Sequence, residues 1–463
     1  MTLVQEAQAM GRTGQIDSSK ATTAQAGASE AGSPVIPVSR AAGPLILSDA
    51  LLQGMRYLLL LYLGYRSLTY AGAFLVGSAL GAVLGGVVDF GMNQNWLRMT
   101  GLNGHLNRRT FSVVLRGKVL ASLAGLLCIG GGIVLGLWGP SLPVAMMVGV
   151  GLAGMQVLAE TCEAVGLALH RYQRVAWFRV LMSVGMYGVP LLLAWLVRQE
   201  SEHAGLDMAL LAGLLIGSLL CGLYAWTTRA WLPEGTRGDI GYRRAWWEAR
   251  WLGVNQLAVV LDVRAPLLIL GFMLGDAAVG LYGLVQRTTA VVELAWASLS
   301  RLLLRSYAEL GGEKGLAQIK ARVGRAGLLT VAVMALASGG VWIVLMLYGR
   351  FVTGSTETLL ALSLLKWAVV AIGFSSIKRP FVFGLLALFH ERLVCRVNVA
   401  AALFGLLLVP LCIWYRGIWG PVIAWIVLEG AACLMLVWGF LRVSARARPA
   451  LVASPSGGIG HYP

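Results

Sequence analysis

From about residue 44 to residue 442 the sequence is a succession of apolar runs, each about as long as the hydrocarbon layer of a bilayer is thick, separated by short polar connections. A helix needs about 20 apolar residues to cross that layer. Hydropathy places spans at 44–63, 68–92, 113–138, 142–168, 175–197, 207–231, 250–273, 278–304, 325–348, 357–387, 393–415 and 418–442. The chain is therefore expected to be all-α: a polytopic membrane protein with about twelve transmembrane helices in two six-helix lobes around a central cavity. Composition agrees, since 58% of residues are hydrophobic and only 13% charged, where soluble domains have roughly 25% charged.

The longest connection lies in the middle and divides the spans six and six. That gives an expected organisation of a disordered cytoplasmic tail over 1–43, an N-lobe over 44–231, a cytoplasmic inter-lobe loop over 232–249, a C-lobe over 250–442 and a C-terminal cytoplasmic tail over 443–463. The first tail is rich in Ala, Ser, Thr, Gln and Gly and has no signal-peptide core. Six helices per lobe keep both lobes in one orientation, as parallel repeats about an axis along the membrane normal. Tyr70 near the start of span 2 and Tyr282 near the start of span 8 are corresponding positions in such a repeat.

A net charge of +16 invites a nucleic-acid reading, but the basic residues sit in the connections. One set of alternate connections holds most of them, while the other holds only Arg66, Arg198, Arg350 and Arg416. The positive-inside rule then puts both termini in the cytoplasm. Arg outnumbers Lys and Ala, Gly and Leu abound, as in GC-rich bacterial genomes, so a bacterial inner membrane is the expected location. The six cysteines are scattered singly and read as packing residues. Gly117-Lys118-Val119 lacks the rest of a phosphate-binding loop, and no external loop is long enough for a catalytic site. No enzyme, no metal and no cofactor is expected.

The informative residues are the charges inside the spans. A charge at mid-bilayer costs roughly 2.5–3.5 kcal/mol, so such residues face a partner or a watery cavity. Asp49, Gln53 and Arg56 recur at i, i+4 and i+7 on span 1, and Gln156, Glu160 and Glu163 repeat that spacing on span 4. On span 7, Asn255 and Asp262 share a face, with Arg264 pointing well away from Asp262. Spans 7 and 8 form a tight hairpin at Gly275-Asp276, and span 8 puts Gln286 and Glu293 on one face with Arg287 about 100° around. Lys366 and Glu429 are single charges on spans 10 and 12. Gly77, Gly81 and Gly85 make a small-residue seam ending at Asp89, which suits close helix packing. Asp89, Arg301 and Arg305 lie near span ends, where snorkelling is cheap, and are read as structural or gating residues.

Two stretches carry a resemblance. Asp89-Phe90-Gly91-Met92-Asn93, closing span 2, resembles the D-x-G-(x)-N ending of the second helix in polysaccharide flippases. Gly271 to Gly283, with Val279-Gly280-Leu281-Tyr282, resembles their helix 7–8 connection. These flippases belong to the multidrug/oligosaccharidyl-lipid/polysaccharide (MOP) exporter superfamily. The Gly64-to-Tyr70 segment departs from the family's usual turn before helix 2. The resemblance implies that helices 1, 2, 7 and 8 line a cavity between the lobes, and that the substrate is a polyprenyl-diphosphate-linked oligosaccharide bound for O-antigen or exopolysaccharide assembly.

On that reading Arg56, Arg264 and Arg287 are the candidates to hold the diphosphate, because guanidinium engages several oxygens at once. Asp49, Gln53, Glu160, Glu163, Asp262 and Glu293 are candidates for binding a coupling proton or sodium ion, or for cavity polarity. Membrane lipids, a polysaccharide polymerase and export proteins are the expected partners. The rival readings are an ion-coupled multidrug exporter of the same architecture and a non-transporting subunit of an export complex.

Overall fold

The computed structural model describes residues 38–93, 108–134, 142–196, 202–234, 247, 250–289, 315–351, 356–388 and 390–452. Residues 1–44 and 45–463 are two separate units, and of the first only the opening turns of a helix, from Val38, are described.

The described residues form twelve helices: α1 (Val38–Arg66), α2 (Leu68–Asp89), α3 (Arg108–Val134), α4 (Pro143–Ala168), α5 (Tyr172–Leu196), α6 (Glu202–Trp231), α7 (Arg250–Leu274), α8 (276–289), α9 (Gly315–Phe351), α10 (Thr356–Ala387), α11 (Glu391–Arg416) and α12 (Gly420–Val452). Ten spans among them are long and apolar enough to cross a membrane, the last of which takes in both α11 and α12. Each expected span has a helix among the described residues, with span 8 described only as far as residue 289. The largest departures are α9, which starts ten residues before the expected 325, and α12, which runs ten residues past the expected end at 442. The chain is a multi-pass membrane protein.

Local chemistry sets the helix ends. Ser67 is extended and its hydroxyl accepts from Tyr70 N at 3.2 Å, starting α2. Phe90 and Gly91 both take positive φ and stop it. A single residue, Gly275 at φ +82°, breaks α7 from α8, so the hairpin read from the sequence is one residue tight. Pro143 occupies the first turn of α4, where its missing N–H costs nothing.

α2 is the central strut. Its glycine seam packs on α4 so closely that a Cβ at Gly77 would stand 1.9 Å from Met146 O. Near its start it meets α8, where a Cβ at Gly280 would stand 2.1 Å from Leu68 O. At its other end it meets α7, where a Cβ at Gly253 would stand 2.5 Å from Phe90 O. Tyr70 and Tyr282 are both fully buried near the starts of their helices, and the Tyr70 hydroxyl bonds Asp207 of α6. α4 also packs on α3 and α6, while α7 packs on α11 and α12 on α10 and α11.

Candidate functional site

A void of about 890 Å³ lies among α3, α4 and α6. Its lining has no charged residue and only Ser122, Ser218 and Cys221 as polar groups, so bilayer hydrocarbon suits it and ionic chemistry does not. The polar cavity, about 510 Å³, is bounded instead by α1, α7, α8, α10, α11 and α12. Asp49 and Gln53 of α1, Asp262 and Arg264 of α7, and Gln286 and Arg287 of α8 all line it.

One end of this region is basic. Arg264 and Arg287 line the cavity, and Arg56 stands close enough that its charge acts on both of them. Arg56 is 6% exposed and is held by α2 and α4: Nη2 donates to Ser78 Oγ at 2.7 Å and Nη1 to Gln156 Oε1 at 3.3 Å. Its guanidinium lies 5.9 Å from the ring centroid of Tyr187. Tyr187 belongs to a π-helical turn of α5, Val184–Gly188, an irregularity that recurs at functional sites. Arg287 is 8% exposed, and its Nε and Nη2 find no hydrogen-bond partner. Among the described residues none of the three arginines forms an ion pair. Three like charges drawn together out of water repel one another and lose hydration, so only a rigid scaffold holds them and an anion among them would relieve both costs.

The remaining charges are mostly paired. Arg179 of α5 donates to Asp49 at 2.6 Å and to Glu163 at 2.6 Å, tying α1 to α4. Lys118 of α3 is 0% exposed and satisfies all three of its N–H bonds with Asp89 (2.5 Å), Asn93 (2.8 Å) and Thr161 (2.9 Å). Lys378 of α10 meets Glu429 of α12 at 2.5 Å, and Asp262 feels both charges. Asp262 and Arg264 thus both line the cavity but sit among different charges, Asp262 beside the Lys378–Glu429 pair and Arg264 beside Arg56. Glu160 is exposed and accepts from Gln156 Nε2 at 3.1 Å. Lys366 sits 3.8 Å over the ring of Trp342.

The structure brings together Asp49, Gln53, Asp262, Arg264 and Arg287, with Arg56 adjoining. Glu163 and Asp89 stand away in ion pairs of their own. Glu293, Arg301 and Arg305 lie outside the described residues. Arg179, Lys118 and Lys378, which lie towards the ends of their apolar runs in the sequence, all turn inward to a carboxylate. Tyr187 was missed, because nothing in the local sequence distinguishes a π turn from an α turn, although Gly185 and Gly188 bracket it.

No family model matches the sequence, and no curated protein sequence matches it. Solved structures do. The fold is similar to those of solved MOP-superfamily proteins, and these neighbours are transporters and flippases. The lipid II flippase MurJ in an inward closed conformation aligns with a TM-score of 0.61 at 14% identity, over 88% of this chain and 90% of that chain. A MOP-superfamily transporter from Pyrococcus furiosus, whose reversed binding-pocket polarity suggests a different function, aligns at 0.60 and 13% identity over 88% and 96%. A multidrug-resistance MATE transporter in an outward-facing conformation aligns at 0.60 and 14% identity over 89% and 96%.

Proposed function

We propose that the protein translocates a polyprenyl-diphosphate-linked oligosaccharide from the cytoplasmic to the outer leaflet of a bacterial inner membrane, by alternating access of two lobes, for O-antigen or exopolysaccharide synthesis. The observation that supports this best is the cluster of Arg56, Arg264 and Arg287, which has no carboxylate partner among the described residues and borders a cavity. A buried guanidinium with two unmet donors is built for an oxyanion. Each sugar hydroxyl taken into hydrocarbon without a partner costs several kcal/mol, so a polar cleft that shelters the sugars while the prenyl tail stays in the bilayer lowers the main barrier. A polysaccharide polymerase and export proteins would take the product onward. The test is genetic: deletion accumulates lipid-linked oligosaccharide on the inner leaflet, and Arg56→Ala or Arg287→Ala abolishes polymer at normal protein level. Wild-type polymer from both variants refutes the assignment.

A second reading, export of an organic cation, is favoured by the MATE neighbours and by acids that line the cavity, Asp262 and Glu429. Three clustered arginines oppose it, since they repel a cation at the point of entry.

A further inference from the structure

The sequence leaves the coupling group open among several carboxylates, and the geometry separates them. Asp49 and Glu163 are clamped by Arg179. Asp262 lies beside the Lys378–Glu429 pair. Among the described carboxylates, Glu160 is the one joined to the arginine cluster by a chain of hydrogen bonds through one side chain: Gln156 Nε2 donates to Glu160 and Gln156 Oε1 accepts from Arg56. The i, i+4 spacing on α4 puts the two residues on one face, and the Glu160 side chain reaches the protein surface.

We propose that Glu160 is a proton-binding site linked to anion binding at Arg56, with Gln156 as the positioning residue that transmits its state. This rests on the reading of the arginine cluster as a diphosphate site. An amide held between a cation and an anion has one favourable orientation, oxygen toward the guanidinium and NH₂ toward the carboxylate. Ionised Glu160 therefore fixes Gln156 and, through it, ties Arg56 to α4. It also adds a negative charge beside a site meant for an anion. When water in the cleft gives Glu160 a proton, the carboxyl becomes a donor and seeks the Gln156 oxygen. The amide turns, presents NH₂ to a guanidinium that has only donors, and the Arg56 tie is lost. Arg56 keeps Ser78 and gains a free Nη1 for the anion. Proton and diphosphate then favour each other's binding, and by linkage the effect is reciprocal. The other charges facing Glu160 are Lys118 of α3, Asp89 of α2 and Glu163 on its own helix. Each of these has a short ion pair, so Glu160 is the member of this group without one among the described residues.

The test is binding of farnesyl diphosphate to the full-length protein in phosphatidylcholine nanodiscs, from mildly acidic to mildly alkaline pH. The expected result is affinity that falls by about tenfold as pH rises, the size of an ordinary coupling free energy. Glu160→Gln should bind tightly at every pH. Gln156→Leu and Gln156→Asn, the latter polar but one methylene too short to bridge, should flatten the pH profile. Proton uptake on binding, read from the dependence of calorimetric heat on buffer ionisation, should be present in the wild type and absent in Glu160→Gln. If Glu160→Gln binds the probe with the wild-type pH profile, the linkage is overturned while the diphosphate site stands. If the wild type does not bind the probe, or if Arg287→Ala binds it as tightly as the wild type, the diphosphate site itself is wrong and the linkage falls with it.

Discussion

At the scale of single residues, the protein divides its buried charges into satisfied and unsatisfied ones. Lys118 is of the first kind, with every ammonium proton bonded. Removing one partner of such a pair strands the other, at a cost of about 3–5 kcal/mol. Lys118→Met should therefore lower stability by about that amount, and Lys118→Met with Asp89→Asn by clearly less than the sum of the two single changes, as read by thermal unfolding in detergent. Strict additivity would show that the pair does not couple. Arg287 is of the second kind, and its loss should affect binding more than folding. Arg287→Ala should weaken diphosphate binding by about 2 kcal/mol or more. Arg287→Lys should recover only part of that, because an ammonium is a point charge where the site offers room for a fork. Full recovery by lysine would mean that charge alone matters. Arg56, Arg264 and Arg287 were legible in the sequence because a charge inside an apolar run needs a reason. Lys118, Arg179 and Lys378 were not, because each lies close enough to a span end to pass for a snorkelling or loop charge, and only the fold shows which way it turns.

At the scale of elements, α2 holds both ends of the cavity's approach. Near its start the backbone of Leu68 touches Gly280 of α8, and at its end Phe90 touches Gly253 of α7, both too close for a side chain. On the proposed alternating-access reading, these contacts would close the two ends of the strut. A bulky residue at one of them should hold that end open without touching the other. Gly280→Leu should raise the labelling rate of Gln286→Cys, in a cysteine-free background, by an impermeant maleimide added on the side of α2's start. Gly253→Leu should do so from the opposite side. Labelling from the same side in both variants would show that the two contacts are not separate gates. The glycine seam and the Gly275 hairpin were readable because small residues at helical spacing and a break between two apolar runs leave few alternatives. The two gate contacts were not, since they pair residues far apart in sequence, and hydropathy carries no information on which helices meet.

At the scale of the whole molecule, the question is the sign of the charge that crosses. The twelve-helix architecture was fixed by hydropathy, because each lipid-length run has one way to satisfy its backbone in hydrocarbon. The fold, however, is shared with exporters of other cargo, so architecture cannot choose between an anionic lipid and an organic cation. The electrical response can. A charge that crosses the full field gains or loses about 2.3 kcal/mol per 100 mV. For outward movement an inside-negative potential favours an anion and opposes a cation. A diphosphate that travels with one proton on Glu160 still moves as an anion, with its charge reduced by one. Proteoliposomes holding a short-chain fluorescent polyprenyl diphosphate in the inner leaflet, clamped with a potassium gradient and valinomycin, should show faster outward flipping when the interior is made negative. Glu160→Gln carries no exchangeable proton there, so its rate should depend more steeply on voltage than that of the wild type. Slower flipping at negative interior potential would assign the moving charge to a cation and leave the exporter reading in possession of the arginine-lined cavity.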